Sequence, residues 1–445
     1  MTQPSLGPIE PEVGTPLWRK ALVFLAVVGL VYLLILAVGM MSGGFKGAAG
    51  GKAAARGLLG GLGGNPLLGL VLGIFATAVV QSSSTVTSVI VGLVASGLSV
   101  HAAVPMIMGA NIGTAVTNTL VSLAHVTRPE EFKRAFAAAT VHDMFNFLAV
   151  IIFLTIEVVV SWVSPNGQGM LEMLTGWMTA SMNGDGGMGG SVKNVNVIKA
   201  SIKPVIGLFF AYDFKAGTGS GLFYMLFGRI GGGIALVLLA LPTIFTSILV
   251  LGKVLRAHLI GRVERVFNAA LGRGPITGIA SGALITAFVQ SSSTTTSLVV
   301  PMAGAGVLKL EKIFPFTLGA NIGTTFTALL ASLAGGDDPV KAQAAVQIAL
   351  VHLCFNVLAT ALIYGVPVLR IIPLAGARGL SELAVRRKSL AIGYVIGTYF
   401  LLPLALLGIS RMTGWGRQAQ ADAPAPAAPA SDAPAGSHEP ATGDQ

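Results

Sequence analysis

The sequence predicts an all-α polytopic membrane protein, built from two inverted-topology repeats with re-entrant helical hairpins. Three observations carry that prediction. The 445 residues are 53% hydrophobic and only 10% charged, with a mean hydropathy of +0.79, whereas a soluble domain is about a quarter charged. A polar phrase, "VVQSSSTVTSVIVG" (79–92), returns as "FVQSSSTTTSLVV" (288–300). The apolar segments around 66–99 and 275–308 are too short, between their polar interruptions, for independent helices to cross about 30 Å of hydrocarbon. Short, interrupted segments in matching places indicate hairpins or broken helices that line a cavity.

The elements follow in order. Residues 1–18 form a polar N-terminal segment, expected in the cytoplasm. The apolar run Ala21–Met41 is too long for a signal-peptide core and long enough to span, so it reads as a retained first helix. That helix and the first repeat occupy 19–163. A polar, Gly-rich excursion at 164–221 reads as an external loop, and 222–252 as a linking transmembrane helix. The basic stretch 253–274 reads as a cytoplasmic loop, since Lys and Arg are in excess on that side. The second repeat covers 275–373, and 374–410 holds a cytoplasmic loop and the last transmembrane helix. The Ala/Pro-rich tail, 411–445, has the composition of a disordered segment. Lys46, Lys52 and Arg56 run against this topology, because they follow the first helix onto the expected outer side.

The net charge of +10 comes from 28 Lys and Arg against 18 acidic residues. The basic residues lie in short clusters between apolar runs, which fits the membrane charge rule and excludes a nucleic-acid surface. Cys354 is the one cysteine, so there is no intramolecular disulfide and no thiolate metal site.

The duplication is extensive. "NPLLGLVLGIFATAVVQSSST" (65–85) aligns with "GPITGIASGALITAFVQSSST" (274–294) at an offset of 209. "GANIGT" recurs at 109–114 and 319–324, and "VHDMFNFLA" (141–149) matches "VHLCFNVLA" (351–359), both at an offset of 210. One inserted residue reconciles the two registers. With 164–221 outside and 253–274 inside, the single crossing at 222–252 leaves the halves inverted, an architecture with its substrate site near the bilayer midplane.

Each QSSST places five oxygen-bearing side chains where an apolar segment breaks. Such oxygens suit a small hard cation. Hydroxyl donors and free backbone N–H groups at a helix start suit an oxyanion instead. One motif can serve both. GANIGT adds Asn111, Asn321, Thr114 and Thr324, with Thr117 and Thr327 one turn on. Asp143 breaks the repeat symmetry, since its partner is Leu353. A carboxylate inside a membrane helix is costly and marks function, which predicts a charged cation site in the first half only. Asn146 and Asn356, one turn beyond, face the same cavity. His142 and His352 read as packed, hydrogen-bonded helix residues, and Glu157 as interfacial. No GxSxG surrounds the serines, so a membrane hydrolase is disfavoured. A channel would need a continuous polar pore, whereas the paired motifs point to a central site; a non-enzymatic transporter is expected.

These motifs, with "FKRAFAAATVHDMFNFLAVIIFLTIE" (132–157), make residues 20–410 resemble the type II sodium-dependent phosphate cotransporter family. The resemblance implies sodium-driven symport of inorganic phosphate into the cell, with alternating access around the two QSSST motifs. It implies no cofactor, with Na+ as the co-transported ion and phosphate and the lipid bilayer as partners. Electrogenic members carry an aspartate where Asp143 stands and electroneutral members a glycine, so the resemblance implies electrogenic transport of divalent phosphate. Animal members have a longer, cysteine-bearing loop, so a bacterial member of the inner membrane is expected. Residue chemistry and resemblance together assign phosphate to Ser82, Ser83, Ser84, Thr85, Ser291, Ser292, Ser293, Thr294, Asn111 and Asn321. Sodium falls to Gln81, Gln290, Ser84, Ser293, Thr324, Thr327, Asp143, Asn146, Thr114 and Asn356.

Overall fold

The computed structural model describes residues 16–49, 65–183, 200–213, 216–271, 274–334 and 339–413. Residues 1–15, Lys52, Arg56, the glycine-rich run 184–199 and the tail from 414 lie outside the described residues. The helices are α1 (Leu17–Ala49), α2 (Pro66–Val80), α3 (Ser83–Ser96), α4 (Val100–Gly113), α5 (Val116–Ser122), α6 (Pro129–Val163), α7 (Met170–Asn183) and α8 (Ala200–Phe209). A hairpin of β1 (Ala211–Asp213) and β2 (Thr218–Ser220) leads into α9 (Leu222–Leu271). The second half brings α10 (Pro275–Val289), α11 (Ser292–Ser297), α12 (Val299–Gly304), α13 (Leu310–Ser332), α14 (Pro339–Gly365) and α15 (Pro367–Arg386). The described chain ends with α16 (Lys388–Ile396), a π turn (Gly397–Leu401) and α17 (Leu402–Thr413). Seven stretches among the described residues are long and apolar enough to cross a membrane, while α2, α3, α8 and α10 are apolar but shorter. This is an all-α polytopic membrane protein.

The repeat is visible as matched packing. α2 lies against α4, and α10 against α13, with glycines at the crossings. A Cβ added to Gly73 would strike the Met106 carbonyl, and one on Gly109 the Leu70 carbonyl. In the second half Gly282 meets Phe316 and Gly319 meets Ile279 in the same way. Small residues let backbones approach where lipid offers no hydrophobic drive for association. The glycines of GANIGT therefore set helix contact.

Each half also caps the other. Lys341, 4% exposed at the start of α14, donates from Nζ to the Ser96 carbonyl at 2.8 Å, at the end of α3. Arg134 of α6 donates to the Gly304 carbonyl at 2.8 and 2.9 Å, at the end of α12. A cation at a helix C-terminus satisfies free carbonyls and complements the dipole.

Three predicted loops contain regular structure. The expected external loop includes α7, α8 and the hairpin, because it has an apolar face to bury: Leu171 and Thr175 are fully enclosed. Its Leu171 N–H donates to the Glu157 carboxylate at 2.5 Å, so Glu157 is a buried acceptor holding α7 onto α6. The basic stretch 253–274 continues α9 to Leu271, and α15 runs from the end of the expected second repeat to Arg386, into the segment from 374 that was expected to begin as a cytoplasmic loop. Lys, Arg, Ala and Leu are good helix formers, so a drop in hydropathy does not mark the helix end.

Candidate functional site

Each QSSST is a helix break of one fixed geometry. α2 ends at Gln81 and α10 at Gln290, both with φ 57°, and these are the two positive-φ non-glycine positions among the described residues. Left-handed backbone is unfavourable for a side chain-bearing residue. Here the amide compensates: Gln81 Nε2 donates to the Ala78 carbonyl at 2.6 Å, and Gln290 Nε2 to the Ala287 carbonyl. The next serine is extended and caps the following helix. Ser82 Oγ accepts from the Thr85 N–H at 3.3 Å, and Ser291 Oγ from the Thr294 N–H at 3.2 Å. The paired hydroxyls Ser82–Thr85 and Ser291–Thr294 both lie 2.9 Å apart. Pro301, which has no N–H for the Ser297 carbonyl, accounts for the interruption between α11 and α12.

The fold brings the two motifs together. Ser84 Oγ lies 3.5 Å from the Gln290 carbonyl, and Ser293 Oγ 3.5 Å from the Thr114 carbonyl. Thr117 donates to Gln81 Oε1 at 2.9 Å, and Thr327 donates to Gln290 Oε1 at 2.7 Å. Thr117 is thus the structural twin of Thr327. Thr114 and Thr324 return their hydroxyls to their own helices, at Ala110 and Ala320. Ser83, Ser84, Thr85, Ser292 and Ser293 are buried, and Thr294 is half-buried. The symmetry fails at the glutamines: Gln81 is exposed, whereas Gln290 is 3% exposed. Gly252 of α9 passes close to the Val289 carbonyl and the Gln290 Cβ, so α9 covers the second motif.

The asparagines and histidines form a reciprocal lock. Asn111 Nδ2 donates to Asn356 Oδ1 at 3.0 Å, and Asn321 Nδ2 to Asn146 Oδ1 at 2.8 Å. His142 Nε2 pairs with Asn321 Oδ1 at 2.5 Å, and His352 Nε2 with Asn111 Oδ1 at 3.2 Å. Asn146 Nδ2 also donates to the Asn111 carbonyl at 3.0 Å. All six side chains are 2% exposed or less. Each long helix of one half therefore grips the GANIGT helix of the other.

Asp143 stands apart from both motifs. It is fully buried, and Oδ2 accepts from Tyr394 Oη at 2.8 Å and Thr119 Oγ1 at 3.5 Å. No ion pair among the described residues includes it. α5 joins these networks through three successive residues. Thr117 reaches Gln81, Asn118 Oδ1 accepts from Thr296 at 2.8 Å and Ser297 at 3.1 Å, and Thr119 reaches Asp143. Asn118, Thr119, Thr296, Ser297 and Tyr394 were not among the residues expected from the sequence.

Comparison with known proteins identifies the family. A family profile described as Na+/Pi-cotransporter matches residues 33–182 and 243–412. The chain is 34% identical over 471 residues to "Sodium-dependent phosphate transport protein 2A" of Rattus norvegicus, covering 93% of this chain and 71% of that one. It is 33% identical over 459 residues to "Sodium-dependent phosphate transport protein 2B" of Homo sapiens, covering 87% and 65%. The chain thus spans about two thirds of the length of these relatives. No solved structure gives a significant match.

Proposed function

The chain belongs to the Na+/Pi-cotransporter family, and we propose that it is a secondary active symporter that carries inorganic phosphate into the cell with sodium. The observation that carries this reading is the contact of the two QSSST breaks, with Ser84 and Ser293 turned toward the opposite half. The first turns of α3 and α11 leave backbone N–H groups without intrahelical partners, and the helix dipole adds positive potential there. Ser83, Ser84, Ser292 and Ser293 add hydroxyl donors. Phosphate binds between these two starts, with the remaining motif hydroxyls, Ser82, Thr85, Ser291 and Thr294, around it.

Sodium takes the acceptor oxygens. Gln81 and Gln290 each turn Nε2 to their own helix and leave Oε1 facing Thr117 and Thr327. Thr114 and Thr324 flank those positions. No Lys or Arg occurs in either QSSST or GANIGT stretch, so bound sodium offsets much of the phosphate charge. Coupling follows, because each ion raises the affinity for the other by the same factor. The asparagine–histidine lock gives Asn111, Asn321, Asn146 and Asn356 the role of holding the two halves in register around the ions. The inverted repeat is supported by the reciprocal pairing of matched residues. Alternating access is supported by the unequal cover, with Gln81 open and Gln290 enclosed.

The test is uptake of labelled phosphate into proteoliposomes under an inward sodium gradient. Uptake is expected to depend on sodium; equal uptake with potassium in its place would sink the reading.

A further inference from the structure

Where α2 and α4 begin and α6 ends, a cavity of about 150 Å³ opens beside Glu157. Pro66, Pro105 and Leu154 give it apolar walls, and His101, Glu157 and Ser161 give it polar ones. A cavity of this volume admits a molecule of about six heavy atoms. None of these residues belongs to a QSSST or GANIGT stretch.

The charges in the wall do not balance. Glu157 is 7% exposed, and its one hydrogen bond among the described residues comes from the Leu171 N–H. It joins no ion pair among them. His101 can carry a positive charge, but its Nδ1 is already engaged by Glu172 Oε2 at 3.1 Å. Glu157, Glu172 and His101 lie within electrostatic reach of one another, so the imidazole offsets at most one of the two carboxylates. A buried carboxylate without a counter-charge is costly. An anion such as phosphate is therefore disfavoured here, even beside the starts of α2 and α4.

The remaining groups favour a cation. Ser161 Oγ donates to the Val158 carbonyl at 2.8 Å and keeps its lone pairs as acceptors. α6 ends at Val163, where the free carbonyls of its last turn add negative potential. Bare sodium is far smaller than the space, and apolar walls cannot complete its shell of oxygens. An organic cation matches both surfaces, with its charge on Glu157 and its carbons on the prolines and Leu154. Trp162, in the lining and 79% exposed, adds a ring face that attracts cations.

We propose that this cavity binds a primary ammonium group on a short alkyl stem, with Glu157 as its counter-charge and Ser161 as a second acceptor. The site is separate from the phosphate and sodium positions above and does not depend on them. An exposed Trp at a helix end is typical of the membrane–water boundary, so two sources share this chemistry: an ethanolamine lipid headgroup and a free amine.

The experiment follows the melting temperature of the purified full-length chain in a maltoside detergent as n-propylammonium is added, with potassium chloride holding the ionic strength. A saturable rise is expected, because a ligand that binds only the folded chain stabilises it. The neutral analogue 1-propanol should give none. Glu157→Gln keeps an acceptor for the Leu171 N–H and removes the charge, so the half-saturating concentration should rise at least about tenfold. Leu154→Phe, which narrows the cavity and keeps the carboxylate, should weaken binding as well. Glu311→Gln, at a carboxylate paired with Arg378 in the second half, should behave as the parent. No saturable rise, or an equal rise in Glu157→Gln, overturns the site. Nanodiscs separate the two sources. A response lost in phosphatidylethanolamine but present in phosphatidylcholine, whose ammonium is fully methylated, identifies the lipid headgroup as occupant. A response in both identifies a free amine, and a response in neither overturns the proposal.

Discussion

The Asn111 side-chain amide donates to Asn356 Oδ1 across 3.0 Å and 245 residues of sequence. Its repeat-equivalent, Asn321 to Asn146, runs the opposite way at 2.8 Å. Asn356→Ala leaves the Asn111 donor buried and unpaired, at a cost of about 1–3 kcal/mol. The double variant Asn111→Ala/Asn356→Ala is expected to lose less than the sum of the two single variants, because they share the bond. Thermal unfolding in detergent measures this, and strictly additive losses would show that the pair does not act as a unit.

Gln290 holds a left-handed backbone that glycine adopts freely. Gln290→Gly removes the strain and the side-chain bonds together, so stability should stay within about 1 kcal/mol of the parent. Gln290→Ala keeps the strain and loses the bonds, and should be less stable by about 1–3 kcal/mol. Sodium-dependent uptake should fall in both, since Thr327 loses Oε1. A stable Gln290→Gly variant with normal sodium dependence would remove Gln290 from the sodium site.

Gly319 and Gly109 lie against the Ile279 and Leu70 carbonyls. Gly319→Ala must separate α13 from α10, and overpacking of this kind costs about 1–3 kcal/mol. Gly393, with open space where its Cβ would go, should accept alanine without loss. Melting temperatures of the two variants compare directly; equal values would mean that the helix contact yields easily.

Asp143 has no ion-pair partner among the described residues, so no neighbouring side-chain charge offsets its carboxylate, and substitution by glycine changes the net charge of the protein. Asp143→Gly is expected to abolish the inward current while leaving residual sodium-dependent uptake. Simultaneous current and flux recordings decide this. A current per phosphate equal to the parent's would take Asp143 out of charge movement.

Much of the site was legible before folding because duplication writes the same chemistry twice. Gln81 and Gln290, or Thr117 and Thr327, are found by alignment of the chain with itself. Asp143 was visible for the opposite reason, as the position where the halves disagree. The same criterion reaches Asn118 and Thr119, opposite Ala328 and Leu329, although an amide and a hydroxyl draw less notice than a carboxylate. Tyr394 and Tyr399 lie beyond the repeated motifs and carry no internal comparison. The helices within 164–221 and past residue 252 were missed because polarity locates water, while helix formation in those stretches follows propensity and one buried face.

Composition and spacing were enough to establish an all-α membrane chain, its two related halves and the residue types that could bind ions, since these depend on period and polarity along the chain. Pairing across the halves was settled in three dimensions alone. Which asparagine meets which histidine, which glutamine is covered, and that Asp143 faces the tyrosines of the last helix all depend on how distant helices cross. Those crossings are set by backbone contact at glycine and by the need to pair every buried polar group, conditions that no local stretch of sequence contains.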